Sequence, residues 1–302
     1  MYKSDIPVYH VRKIIPDDKI HEYSGKFMQE KDINMIVTSD ADVYTEDGKL
    51  LLRFRKNVLP TENIEKAHDA MKTFINKIST DRGIAAGSKE KSTGHKIPVR
   101  SNILGYFDKW SISQKSQFKK TGIKMPGPCR VTKFTATYPD KWKQIIPLIK
   151  DIDSIYKLLC PKEHLAQYNA AISTPFHISD TAFSTVTTNL NFQTALHKDS
   201  GDFKDGFGNL VVIEKGTAYS GAYTGFPQYG VAVDCRTGDF LAMNVHELHG
   251  NTPLILGDET SKRISLVSYL RDGIVSKAKD QEMYDPIALK NEIQSALKLK
   301  KV

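Results

Sequence analysis

The chain has 302 residues, 40% hydrophobic and 26% charged, enough for a folded core in one large domain or a domain with an added lobe. Lys and Arg outnumber Asp and Glu 43 to 35, a formal net charge of +8, which fits a soluble basic surface or a polyanion partner. Three cysteines far apart in sequence, Cys129, Cys160 and Cys235, exclude a disulfide framework and a CxxC zinc site. With no apolar signal-peptide core and no run long enough to span a bilayer, the expectation is no membrane association and an intracellular location, cytoplasmic or nuclear.

Residues 1–33 are polar without a clear period. Residues 42–55 read as a hairpin around the turn signal Glu46-Asp47-Gly48-Lys49. Pro60-Thr61 opens a helix with Thr61 as its N-cap, and Ile64, Ala67, Met71, Phe74, Ile75 and Ile78 recur at helical spacing. From Arg82 to Arg100 glycines and small residues alternate with Lys89, Lys91 and Lys96, a loop suited to phosphate contact or simply to solvent. Aromatics and lysines interleave through 101–131. A second helix spans 139–159, with Pro147 predicting a kink or break near Gln144. A third runs from Pro161 to Ile172.

The grammar then changes to short β-branched strands: 183–188, 192–197, 210–213, 229–233, 240–243 and 264–270, punctuated by Gly, Asp, Asn and Pro. A closing helix covers Pro286 to Val302. The expected fold class is α+β: a double-stranded β-helix, or jelly-roll, with helices of the N-terminal half packed on one sheet. The expected organisation is a single catalytic domain, 1–302. Within it, 1–180 form a helical and mixed lobe that supports the core and binds substrate, 181–272 the jelly-roll core, and 273–302 the C-terminal helix.

The chemistry concentrates between Thr194 and Arg271. His197 and Asp199 are followed 50 residues after Asp199 by His249, and 14 further on by Arg263. Two imidazoles and one carboxylate form the facial set that holds iron(II) while leaving positions open. An arginine on a nearby strand can fork onto the carboxylate of 2-oxoglutarate, and Ser265, facing the same way, can add a bond. His246 competes with His249 as third ligand; His249 is preferred because the turn Gly250-Asn251-Thr252-Pro253 follows it. Asp202 either orients a ligand, binds the co-substrate or is a simple turn aspartate.

His197-Lys198-Asp199-Ser200-Gly201-Asp202, Gly238-Asp239-Phe240-Leu241, Glu247-Leu248-His249-Gly250-Asn251-Thr252-Pro253 and Lys262-Arg263-Ile264-Ser265 together resemble the TET/JBP family of iron(II)/2-oxoglutarate dioxygenases. The resemblance covers 183–272. It implies His197, Asp199 and His249 as catalytic iron ligands, and Arg263 with Ser265 as the co-substrate anchor. Fe(II), 2-oxoglutarate and O2 are the implied cofactors, and a 5-methylpyrimidine of DNA, 5-methylcytosine or thymine, the implied substrate. The DNA would be base-flipped or single-stranded, with RNA as a further polymer. RNA or protein-side-chain oxidation, and an ascorbate-using 5-methylcytosine modification, are the alternatives. Candidate substrate contacts are Asn189, Asp202, Arg82 and Lys89, with Asn191 as a second edge reader. Phe192, Phe207, Tyr219, Tyr223, Phe226 and Tyr229 are candidates to hold the base, each with core packing as the competing role.

Overall fold

A computed structural model of the protein describes residues 6–79, 82–88 and 99–299. Its centre is a nine-stranded sheet, in the order Val8–Val11, Ala41–Thr45, Leu50–Arg55, Phe240–Met243, Gly208–Lys215, Lys262–Tyr269, Thr185–Leu190, Arg100–Phe107, Arg130–Val131. A four-stranded sheet, Gly250–Asn251, Thr224–Phe226, Val231–Val233 and Met35–Val37, faces it. The two sheets form the expected roll. The N-terminal half contributes more than helices: the 41–45/50–55 hairpin extends one flank and Arg100–Phe107 the other.

Side-chain alternation divides the large sheet into two faces. Val186, Leu190, Val211, Ile213, Phe240, Ala242, Ile264 and Leu266 point toward the helices. There they meet Ile64, Ala67 and Met71 of the helix Thr61–Met71, and Ile145, Ile149, Ile152 and Tyr156 of the helix Pro139–Leu159. Leu210, Val212, Leu241 and Met243 point the other way, against Phe226, Val231 and Val233 of the small sheet. On the strand Lys262–Tyr269 this second face carries Arg263, Ser265, Val267 and Tyr269, where a cavity replaces packed core.

Several local expectations change. Pro60, not Thr61, occupies the N-cap, and the helix stops at Met71. The chain then tightens, with Phe74 N–H donating to the Met71 carbonyl at 2.8 Å, so Phe74 and Ile75 are buried while Ile78 is 60% exposed. The helix Pro139–Leu159 continues through Pro147 without a break. The predicted strand 192–197 is irregular: Ala195, Leu196 and His197 bond to Ala85, Lys26 and His249 in turn, so no one neighbour offers a ladder. Pro161–Ile172 and Phe240–Met243 form as expected, and the closing helix spans Pro286–Leu299. All three cysteines are buried and free. Among the described residues no helix is long and apolar enough to cross a membrane.

One buried acid ties two helices to the turn that leads into the strand Thr185–Leu190. Asp153 Oδ1 accepts from the Ala182 N–H at 2.8 Å and lies 3.0 Å from His164 Nε2. Asp153→Ala leaves both groups unpaired inside the protein and is expected to lower unfolding free energy by about 3 kcal/mol. A shifted urea midpoint at constant slope would report it.

Candidate active site

His197 and His249 come together through backbone. The two residues form an isolated antiparallel bridge, His197 N–H to His249 carbonyl at 2.9 Å and the reverse at 3.0 Å. Asp199 N–H donates to the Val245 carbonyl at 3.0 Å, extending the pairing. Beneath lie Met28, Leu196 and Leu248, a small apolar cluster that anchors both segments. Gly250 permits this approach, because a Cβ there would stand 2.9 Å from the Thr194 carbonyl oxygen and 3.1 Å from a Leu196 methyl. Gly250→Val should therefore push the 194–199 segment away and weaken Co(II) or Fe(II) affinity at least about tenfold, measured by anaerobic titration.

Each imidazole is held in one tautomer. His197 Nδ1 lies 2.8 Å from the Ala195 carbonyl and His249 Nδ1 2.9 Å from the Glu247 carbonyl. A carbonyl can only accept, so Nδ1 carries the proton and Nε2 keeps its lone pair. Both Nε2 atoms face Asp199, at 3.4 Å and 3.6 Å from its two carboxylate oxygens. The three donor atoms lie within 4.8 Å of one another, a spacing one ion can bridge, and the donor set suits iron(II). Burial pushes the Asp199 carboxyl upward, but the two imidazoles outweigh it and hold it well below the usual carboxylate range. His246 turns away, its Nε2 3.2 Å from the Phe203 carbonyl.

Arg263 enters the same cavity, of about 160 Å³, from the large sheet. It is 3% exposed, and its Nε and Nη2 have no hydrogen-bond partner. A buried guanidinium with two unpaired donors is suited to an anionic ligand. Beside it, Asn189 Nδ2 donates to Ser265 Oγ at 3.2 Å, and Ser101 Oγ donates to Asn189 Oδ1 at 2.6 Å. The Ser265 hydroxyl, used there as acceptor, keeps its own proton for a ligand. Asn191, expected as an edge reader, is structural: its Oδ1 accepts from the Arg263 N–H at 2.7 Å, and its Nδ2 donates to the Ser261 carbonyl at 2.9 Å.

The other end of the cavity is lined by Phe107, Tyr269, Asp202, Arg271 and Arg82. Burial, reinforced by the charge of Asp199, pushes the Asp202 carboxyl well above the usual range, against the pull of Arg271. Arg82 also lines an outer cavity of about 520 Å³ with His21, Ser24, Lys198 and Ser200. Lys89, with the rest of 89–98, lies outside the described residues. None of the six aromatics expected to hold a base lines the inner cavity. Phe207, Phe226 and Tyr229 are core residues, and Tyr219 is buried with the Arg236 guanidinium 4.3 Å from its ring. Phe107 and Tyr269 are the Phe and Tyr side chains that line the inner cavity. The signal for Tyr269 was strand alternation, since it faces the same way as Arg263; Phe107 comes from a strand whose pairing no local pattern announces.

Residues 105–272 match the Tet/JBP family, described as the oxygenase domain of the 2OGFeDO superfamily. The bifunctional helicase and thymine dioxygenase JBP2 of Leishmania braziliensis is 27% identical over 88% of this chain and 22% of its own length. The thymine dioxygenase JBP1 of Trypanosoma brucei brucei is 30% identical over 84% of this chain and 29% of its own length. The chain therefore spans under a third of either relative. A structure of NgTET1 in complex with 5mC DNA shares the fold, with a TM-score of 0.51 at 15% identity, covering 86% of this chain and 90% of that one. With more than half its length matched and His197, Asp199, His249 and Arg263 gathered in one cavity inside that match, the chain belongs to the Tet/JBP oxygenase family.

Proposed function

We propose that the protein is an Fe(II)- and 2-oxoglutarate-dependent dioxygenase that hydroxylates the 5-methyl group of a pyrimidine in DNA. The observation that carries this reading is the convergence, in one cavity, of three metal-type donors and a buried arginine with two unpaired nitrogens. His197, Asp199 and His249 are assigned as the iron ligands. With 2-oxoglutarate and O2 bound beside it, the iron supplies the oxidising power for the methyl C–H bond. The rest is the protein's work. The Ala195 and Glu247 carbonyls leave both Nε2 lone pairs free, so His197 and His249 would hold the metal through them. Arg263 would fork onto the far carboxylate of 2-oxoglutarate, with Ser265 donating and Asn189 holding that serine. Leu210, Met243 and Val267 supply apolar lining to the same cavity.

A methyl group inside a duplex does not reach such a cavity, so the base arrives flipped or from a single strand. Asp202 is assigned to the base edge, where its carboxyl can accept from a ring or exocyclic N–H, with Phe107 and Tyr269 as the nearby rings. Arg82, between the inner and outer cavities, is assigned to the adjoining phosphate. Residues 181–272 are taken as the core of the reaction, with 1–180 as the lobe that adds strands and substrate surface. A DNA substrate places the protein inside a cell. The thymine dioxygenases among the relatives make thymine the first base to test and 5-methylcytosine the second.

The test is incubation of thymine-containing and 5-methylcytosine-containing DNA with Fe(II), O2 and 2-oxoglutarate, followed by nucleoside mass spectrometry. A 5-hydroxymethyl product from either base is expected. Succinate formation stimulated by RNA or peptide and not by DNA would instead select the other substrate classes, and product formed with ascorbate alone would replace the co-substrate.

A further inference from the structure

We infer that Asp108 and Arg271 form a relay that sets the position of Asp202, and through it the enzyme's preference for a pyrimidine over a gap in the strand. The inference rests on the base-edge role proposed for Asp202. Asp108 closes the strand Arg100–Phe107, and its side chain is 8% exposed. Its carboxylate takes Arg271 Nε at 3.2 Å on one oxygen and Nη2 at 3.3 Å on the other, a two-point grip that fixes the guanidinium plane. That leaves Nη1, which lies 3.6 Å from Asp202 Oδ1. The Arg271 guanidinium also lies 5.0 Å from the centre of the Phe107 ring, which covers one side of it.

Backbone reinforces the same geometry. Asp202 and Arg271 form an isolated antiparallel bridge, and Asp272 N–H donates to the Gly201 carbonyl at 3.1 Å. The Arg271 N–H is taken by Ser184 Oγ at 3.0 Å. Gly201 is small for a reason: a Cβ there would stand 2.6 Å from Nη1, so the guanidinium passes directly under the 201–202 peptide. Behind Asp108, Lys277 Nζ approaches Oδ2 at 3.7 Å. The chain of contacts is thus Lys277, Asp108, Arg271, Asp202, and only its last member is proposed to touch the base. Asp108 and Arg271 are positioning residues. Freed from Asp108, the guanidinium can rotate, and the Asp202 carboxyl loses the fixed partner that aims it.

The test uses the full chain and fluorescein-labelled single strands that differ at one central position: thymine, 5-methylcytosine or an abasic site. The wild-type protein is expected to bind one pyrimidine strand at least tenfold more tightly than the abasic strand. In Asp108→Asn, which keeps the shape of the side chain, that ratio should fall to within about threefold of unity with abasic-strand affinity unchanged. KM for DNA should rise about tenfold with KM for 2-oxoglutarate unchanged, and Asp108→Glu should recover part of the ratio. A merely structural role would weaken all three strands and the co-substrate together. Asp108→Asn protein that keeps the wild-type ratio, or that loses abasic-strand and 2-oxoglutarate binding in parallel, overturns the relay alone. A wild type that oxidises neither base overturns the functional reading, and the relay with it.

Discussion

Asp199→Ala is expected to lower the oxidation rate at least about 1,000-fold, a loss of about 4 kcal/mol of barrier lowering, and to abolish metal-dependent stabilisation. The carboxylate is the single anionic donor among the three. Two neutral imidazoles alone leave a divalent ion with its charge uncompensated and a coordination face open to water. In the metal-free protein the carboxylate faces two imidazoles and is one-third exposed, so its removal should change intrinsic stability little. Metal binding to the native state adds stability in proportion to the logarithm of occupancy. Wild-type protein should therefore show a rise in Tm on anaerobic Co(II) addition, and Asp199→Ala no rise at the same concentration. A variant that keeps the wild-type Co(II) response would remove Asp199 from the metal centre. The Gly250→Val protein gives an intermediate case, since it keeps all three donors and spoils only the approach of the segments that carry them.

Why the donors and the arginine were legible in sequence while the rest of the cavity was not has a physical answer. His197, Asp199, His249 and Arg263 are polar residues whose chemistry is scarce and whose order is informative. The strands 208–215, 240–243 and 262–269 announced themselves by β-branched and apolar runs, and the alternation on 262–269 was enough to align Arg263 with Ser265. The small sheet was mostly hidden, because Thr224–Phe226 and Gly250–Asn251 are too short for any period to register. The base-facing end was hidden for another reason. Phe107 and Asp108 reach Arg271 across more than 160 residues of chain, through the pairing of Arg100–Phe107 with Thr185–Leu190. Nothing local encodes that contact; the sheet creates it. The irregular 192–197 segment shows the converse. Its composition reads as a strand, yet its hydrogen bonds go to separate partners, and that irregularity places His197 opposite His249 rather than continuing a ladder past it.

Arg263→Met should separate stability from function in opposite directions. The arginine is 3% exposed with Nε and Nη2 unpaired, so the ligand-free protein buries a charge without full compensation. Methionine fills much of the same volume without a charge to desolvate. The ligand-free variant should accordingly be more stable than wild type by about 1–2 kcal/mol, a higher Tm by thermal scan. The same change removes a charge-assisted fork, and KM for 2-oxoglutarate should rise about 100-fold, equivalent to about 2.7 kcal/mol. Arg263→Lys keeps the charge and loses the planar fork, so its KM should fall between the two. Stabilisation by added 2-oxoglutarate should be large in wild type, smaller in the lysine variant and absent in the methionine variant. The opposed signs make the case hard to satisfy by accident, because a general packing defect lowers both stability and affinity. An Arg263→Met protein that is destabilised yet binds 2-oxoglutarate like wild type would show that this guanidinium is a structural cation and that the co-substrate carboxylate is held elsewhere.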